Sequence, residues 1–385
     1  MTYIQKEPCP IYKKCGGCQM QNLPYDRQLA HKQATVRKLC GRFGKVLNII
    51  GMENPYHYRN KVSAAFAEDK RGKLLSGVYQ SGTRRVVPVD SCQLEDEIAD
   101  RIIVFIRKLM PSFKMHAYDA NTRRGFLRHV LVKRGFTTGE IMVVLVTGTP
   151  VFPGKNAFIA QLRKAFPDIT TIIQSINAGP TGLVLGKQEK VLYGKGYITD
   201  ILCGLRFRIS AQSFYQINPV QTEVLYQKAI EAAHLTPEST LLDAYCGVGT
   251  IGMAASKYCG FVTGVELNPD AVKDAIANAK ENQIKNVRFV CGDAGEFMVE
   301  LAREQGKVDV VMMDPPRAGS SKAFIESLCT LAPKRVVYVS CNPETLARDL
   351  KYLTEGGYEA ESIQPVDMFP HTAHVECVVS LIYKG

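Results

Sequence analysis

The spacing of apolar residues changes character along the chain. Residues 22–43 carry Leu29, Val36, Leu39, Cys40 and Phe43 at helical spacing, which predicts an amphipathic helix with one apolar face. From about 55 to 205 the apolar runs become short: YRNKVSAAFA, LLSGVYQ, RRVVPV, GEIMVVLVTG and GLVLGKQEKVLYG, parted by Gly turns. They read as strands, interrupted by helices at about 95–110 and about 154–166. After about 206 the pattern changes again. ISAQSFYQINPVQTEVLYQKAIEAA reads as strand, loop and helix, and strand–helix units follow: TLLDAYCGVGTIGMAAS, FVTGVELNPDAVKDAIANAKENQ, NVRFVCGDAGEFM, VDVVMMDPPRAG, RVVYVSC and HVECVVSLIYK. Strands alternating with helices predict an α/β fold with a doubly wound, mostly parallel sheet.

The expected organisation is a cysteine-bearing segment 1–20, a helical segment 21–52, a β-rich α+β domain 53–205 that includes Cys92, and an α/β domain 206–385. No apolar run approaches the ~20 residues that span a bilayer. The first residues lack the apolar core of a signal peptide. A cytoplasmic protein with no membrane partner is expected, and a monomer. In that compartment twelve Cys imply thiols, metal ligation or catalysis rather than disulfides.

Charge sharpens the division. Residues 1–210 hold 33 Lys and Arg against 15 Asp and Glu, a surplus of +18, whereas residues 211–385 hold 15 against 22, or −7. The front half is therefore a polyanion binder by composition, and nucleic acid is the expected partner. Tyr56, His57, Tyr58, Tyr79 and Phe126 lie among Arg59, Lys61, Arg84, Arg85, Arg123, Arg124, Arg128, Lys133 and Arg134, as stacking faces for unpaired bases.

Three groups of residues carry candidate chemistry. The first is VVYVSCNPETLARDL, where an apolar strand ends at Ser340 and Cys341 and a helix begins at once, with Asn342 as N-cap and Pro343 at its first position. A lone Cys at such a turn is ordinarily a small hydrophobe, so its neighbours must decide. The second group is DAYCGVGT with Gly247 and Gly249, then Asp243, Glu266, Asp293 and Asp314 at the ends of successive strands. Glycines let a ligand approach the backbone, Glu266 suits two ribose hydroxyls, and Asp293 lies where an adenine amino group would be received. Gly252 completes a G-x-G-x-x-G spacing, which keeps NAD as a rival. Asp314-Pro315-Pro316-Arg317 after an apolar strand favours S-adenosylmethionine. The third group is Cys9, Cys15 and Cys18, spaced C-x5-C-x2-C, with Cys92 or Cys40 as a fourth thiolate. Cys40 falls on a helix's apolar stripe, so Cys92 is preferred. Four thiolates accept either zinc or an iron–sulfur cluster.

SFYQINPVQ, DAYCGVGT, GVELN, DPPRAG, VYVSCNPETLARD and DMFPHTAHVE, with the N-terminal cysteines, resemble the RNA uracil-C5 methyltransferases. The likeness is to the branch that acts on 23S ribosomal RNA. The resemblance implies that Gln216, Tyr245, Glu266 and Asp314 bind S-adenosylmethionine with Asp293 nearby. It implies Cys341 as nucleophile and Glu376 as base, and Cys9, Cys15, Cys18 and Cys92 as holders of a [4Fe–4S] cluster. The tRNA-acting branch lacks these cysteines. It further implies that the 22–52 segment packs on the catalytic domain.

Two departures stand out. The chain begins almost at the cysteines, leaving no room for the small β-barrel RNA-binding domain many members carry in front, and Thr250 stands where some relatives have Asn. The chemistry explains the residue types. A thiolate added at C6 makes C5 of uracil nucleophilic, and a base then removes the C5 proton. Asp367, His371 and His374 are the rival bases to Glu376, and a helix N-terminus lowers a thiol's pKa. Competing readings are a tRNA uracil-C5 enzyme, an amino-group methyltransferase, a non-catalytic RNA-binding or iron–sulfur protein, and an NAD oxidoreductase. An amino-group enzyme would usually place an aromatic residue where Arg317 stands.

Overall fold

The computed structural model describes residues 6–179, 182–304 and 306–385; the first five residues of the expected cysteine segment lie outside it. The front of the chain forms α1 (Tyr12–Cys15), α2 (Tyr25–Cys40), β1 (Lys61–Glu68), β2 (Leu74–Tyr79), β3 (Val86–Pro88), α3 (Glu97–Leu109), β4 (Leu127–Arg134), β5 (Ile141–Thr147), α4 (Lys155–Ala165), β6 (Ile169–Ile176), β7 (Gln188–Tyr193), β8 (Ile198–Leu202) and β9 (Leu205–Ile209). Strands β1–β7 make one sheet in the order β3-β2-β1-β4-β5-β6-β7, antiparallel except where β6 joins β5. Its helices follow local rules: Asp96 caps α3 by accepting from the N–H groups of Ile98 and Ala99. One face of the sheet buries Phe66, Val130 and Val143 against Ile102 and Ile106 of α3 and Phe158 and Leu162 of α4.

The rest forms α5 (Pro219–Ala233), β10 (Thr240–Ala244), α6 (Thr250–Ala255), β11 (Phe261–Glu266), α7 (Pro269–Glu281), β12 (Val287–Cys291), α8 (Ala294–Arg303), β13 (Val310–Met313), α9 (Lys322–Leu331), β14 (Arg335–Ser340), α10 (Pro343–Glu355), β15 (Tyr358–Val366) and β16 (Glu376–Tyr383). The second sheet runs β12-β11-β10-β13-β14-β16-β15. β10 to β14 are parallel, and β16 and β15 are antiparallel at one edge. From β10 the chain steps outward to β11 and β12, then returns to the other side for β13. That reversal opens a crevice at the carboxyl ends of the strands. Leu131, Met142, Val144 and Ile173 of the first sheet share a core with Leu225, Ile251 and Val337, so the two sheets are packed together.

Two features depart from the reading of the pattern. Strands β4, β6, β8 and β15 were not among the expected ones. In β4, His129 and Lys133 interrupt the apolar run yet are buried. Helix α2 also turns an unexpected face inward. Its buried residues are Tyr25, Gln28, Lys32, Gln33, Val36 and Cys40, while Leu29 and Leu39 are half-buried. Val36 and Cys40 meet the core under Leu346, Leu350 and Ile363. Residues 46 and 50 bridge to β15 at Ile363 and Val366. Among the described residues no helix is long and apolar enough to cross a membrane.

Candidate active site

Strand register brings the first candidate group together. In the β14–β16 pair, Val339 lies opposite Val378 and Ser340 opposite Cys377. One step further along this antiparallel register, Cys341 falls opposite Glu376, and directly opposed side chains share a face. Asn342 caps α10, its side chain accepting from the Glu344 N–H at 3.1 Å, with Pro343 next. Asn342 Nδ2 and Thr345 Oγ1 donate to the carbonyl of Arg317, at 3.2 and 3.3 Å. The helix that begins at the thiol therefore also grips the Asp314–Arg317 turn. Arg348 Nη2 donates to the carbonyls of Ala318 and Ser320, and Asp349 Oδ2 accepts from the Ser320 N–H at 2.8 Å.

The electrostatics differ from the expectation for Cys341. A helix terminus is worth about 0.3–1 kcal/mol to a nearby charge, less than the ~1.4 kcal/mol of one pKa unit. Burial outweighs it. Together with the neighbouring Glu376 and Asp314 it pushes the thiol from 9.0 to about 11, and the Arg317 guanidinium opposes the rise. Glu376 is 5% exposed. Burial, with Asp314, pushes it from 4.5 to about 8, again against Arg317. Asp314 is pushed to about 7 by burial. Burial therefore shifts the thiol and both carboxyls the same way, toward their neutral forms.

The rival bases stand in other company. Asp367 is buried against Lys32 at 2.6 Å and accepts from the Tyr25 hydroxyl at 2.9 Å. His371 is buried and paired through Nδ1 with Gln28 Nε2 at 3.1 Å, and burial holds it down at about 4. His374 is exposed, with its ring edge-on to Phe369.

The glycine-rich turn after β10 faces Glu266. One carboxylate oxygen of Glu266 accepts from the Gly247 N–H at 3.0 Å and the other from the Asn268 N–H at 2.7 Å. Each oxygen keeps a lone pair for a ligand hydroxyl. Tyr245, Gly247 and Gly249 all have positive φ, the left-handed region that suits a tight turn. A Cβ added at Gly247 would meet nothing within 4 Å, so the turn is open on its outer side. Tyr245 is held by Ser320, 3.1 Å from its hydroxyl. Asp243 is inward, accepting from the Gly252 N–H at 2.9 Å. Asp293 caps α8 through one oxygen, which accepts from Glu296. Gln216 is half-buried on the loop before α5; Asn218, the N-cap of that helix, and Gln221 in its first turn donate to the carbonyls of Met368 and Asp367. Thr250 Oγ1 is tied to the Tyr226 hydroxyl at 2.8 Å.

Arg317 stands in the sequence only as part of the Asp-Pro-Pro-Arg turn, and its charge on Cys341 and Glu376 is not written there. Phe214, two before Gln216, is 63% exposed with the Lys61 ammonium over its ring.

Far along the chain, Cys9, Cys15, Cys18 and Cys92 line a single cavity of about 330 Å³, together with Gln21, Arg59 and Glu95. All four are free thiols. Burial pushes Cys18 to about 11 and Cys92 to about 12. Among the described residues no three His, Cys, Asp or Glu side chains are close enough to hold one metal ion. Cys40 lies elsewhere, its thiol 3.6 Å from the carbonyl of Pro343.

A sheet of this topology, with an open glycine turn, an acid ending its second strand and an Asp-Pro-Pro turn ending its fourth, defines an S-adenosylmethionine-dependent methyltransferase. The family model described as tRNA (Uracil-5-)-methyltransferase matches residues 24–384. An "uncharacterized RNA methyltransferase" of Halalkalibacterium halodurans is 43% identical over 383 residues, covering 98% of this chain and 83% of that protein. Another from Listeria innocua is 44% identical, covering 98% and 84%. The fold is similar to that of Pyrococcus abyssi tRNA (uracil-54, C5)-methyltransferase in complex with S-adenosyl-L-homocysteine. That likeness has a TM-score of 0.79 and 28% identity, and covers 95% of this chain and 86% of that one. The chain belongs to the RNA uracil-5 methyltransferase family and is an S-adenosylmethionine-dependent enzyme acting on RNA.

Proposed function

We propose that this enzyme methylates C5 of a specific uridine in 23S ribosomal RNA, in the cytoplasm and as a monomer. The observation that carries the reading is the register that sets Cys341 opposite Glu376 on the sheet edge bearing the cofactor turn. Gln216, Tyr245, Glu266, Asp293 and Asp314 would hold S-adenosylmethionine, and the open face at Gly247 fits a nucleoside laid on the backbone. When bound, the cofactor supplies an electrophilic methyl group.

The uridine leaves its stack to reach the cleft. Cys341 adds to C6, and the electron density moved to C5 forms the new bond to methyl as the bond from methyl to the cofactor's sulfonium sulfur breaks. Glu376 then takes the C5 proton, and the C6–sulfur bond breaks to regenerate the thiolate. A carboxyl poised near 8 is a strong enough base for that step and still partly ionised at neutral pH. Arg317 favours the ionised forms of both groups. Because burial favours the neutral thiol, its proton passes to solvent as the uracil binds.

Cys9, Cys15, Cys18 and Cys92 would hold a [4Fe–4S] cluster, with zinc as the alternative. What supports this reading is that all four thiols line one cavity, a set that a cluster or a tetrahedral ion accepts. When bound, the cluster supplies a cross-link between the N-terminal loop and Cys92. The cysteines also support ribosomal RNA as substrate, whereas the Pyrococcus abyssi relative supports a tRNA uridine as a second reading. Mapping 5-methyluridine in ribosomal and transfer RNA from cells with and without this protein decides between them. Loss of a single 23S site is expected; loss confined to tRNA would overturn the proposed target.

A further inference from the structure

The loop that delivers Glu376 is not held by its own sheet. Between β15 and β16, residues 367–375 are held at their start by Asn218 and Gln221 and otherwise by groups from residues 19–58. Lys32 Nζ donates to Asp367 Oδ1 at 2.6 Å and to the Phe369 carbonyl at 3.0 Å. Tyr25 donates to Asp367 Oδ2 and Tyr58 to the Pro370 carbonyl. Gln28 accepts from the His371 N–H at 2.8 Å. The Met20 N–H donates to the His371 carbonyl, and Gln19 accepts from the Ala373 N–H. Lys32 and Asp367 have wholly buried side chains, 0% and 0% exposed.

Such a grip needs a reason. Burying an ion pair is weak evidence for stability, because apolar residues of similar volume often serve as well or better. The loop also carries strain: His371 has φ 67°, a left-handed conformation uncommon for a residue with a Cβ. Strained, polar-bonded backbone persists only where surroundings over-determine it, and it concentrates at functional sites. Here the strained residue is five before the carboxylate facing Cys341.

We infer that Gln28, Lys32 and Tyr25 of α2 are positioning residues for proton removal from C5, holding the 367–375 loop so that Glu376 faces the adduct carbon. The inference rests on the proposed role of Glu376. It also gives the turn after Cys18 a part in catalysis, since Gln19 and Met20 bond the same loop.

The test uses the full chain and its RNA, with Gln28→Leu, Lys32→Met and Glu376→Gln made in parallel. Melting temperature and S-adenosylmethionine affinity are measured for each. For Gln28→Leu and Lys32→Met, kcat is expected to fall roughly 10- to 100-fold, as for an ångström-scale misplacement. KM should stay nearly unchanged, and the methylated RNA–protein adduct should accumulate as it does in Glu376→Gln. Should Lys32→Met fail to fold, Tyr25→Phe removes one bond to Asp367 and carries the same expectation. Variants that melt lower yet turn over normally without adduct would show a purely structural network and overturn the inference. Absence of adduct in Glu376→Gln itself would instead remove the base assignment, and the inference with it.

Discussion

Two regions of this molecule place thiols in company that suits chemistry, and they are built on opposite principles. Cys341 is a single thiol whose place is fixed by strand register, opposite a carboxyl and beside an arginine. Cys9, Cys15, Cys18 and Cys92 are four thiols gathered by loops around a cavity. Burial raises Cys341, Cys15, Cys18 and Cys92 above the ordinary thiol range, and arginine opposes it in both places: Arg317 at Cys341, Arg59 at Cys15 and Cys18. A raised thiol is inert until a partner rewards the thiolate. On the proposed reading that partner is an electrophilic carbon at the sheet edge and iron or zinc in the cavity, and the neighbours, more than the cysteines, would separate a nucleophile from a ligand.

The comparison breaks most visibly at Cys341. Cys341→Ala is expected to lower methyl transfer by roughly 10⁴-fold or more while S-adenosylmethionine still binds, as read by calorimetry. Activity near that of the parent would assign the nucleophile elsewhere. Next in size is Glu266→Gln. Loss of charge-assisted bonds to ribose should weaken cofactor binding on the order of 10- to 100-fold and leave the thiol cavity untouched.

Cys92→Ser probes the other region. The purified protein should lose its brown colour and metal, and its melting temperature should fall by roughly 5–10 °C, the scale of a lost cross-link. Its affinity for S-adenosylmethionine should hold. A colourless parent containing one zinc would replace the cluster by an ion.

The smallest effect is in pH. Burial lifts the folded carboxyl of Glu376 from 4.5 to about 8. Between those values the native state keeps a proton that the unfolded chain has lost, so this group's contribution to stability falls as pH rises. Gln cannot titrate, so the melting temperature of Glu376→Gln relative to the parent should climb between about pH 4.5 and 8 and be flat below. A difference independent of pH would mean that Glu376 is not buried as described.

How much of this was legible in the chain depends on whether the determinant was local. The Asn342-Pro343 start of α10, the Gly247–Gly249 turn and the acids ending the strands are written in neighbouring residues. Adjacency of Cys341 and Glu376 was not, because it depends on an antiparallel pairing between segments 35 residues apart. The face of α2 misled for a related reason. Its spacing marks Leu29 and Leu39 as the inner stripe, but the helix meets a polar loop, so Gln28, Lys32 and Gln33 are buried instead. The helix-terminus argument for Cys341 was sound in sign and too small in magnitude, since burial competes with it at the same atom.

The most direct measurement is the mass and attachment site of the complex that Glu376→Gln forms with uridine-containing RNA and S-adenosylmethionine. The account predicts a covalent species equal to protein plus RNA plus one methyl group, with the nucleotide mapped by peptide sequencing to Cys341. Free, fully methylated RNA with no adduct, or attachment at another residue, would contradict it.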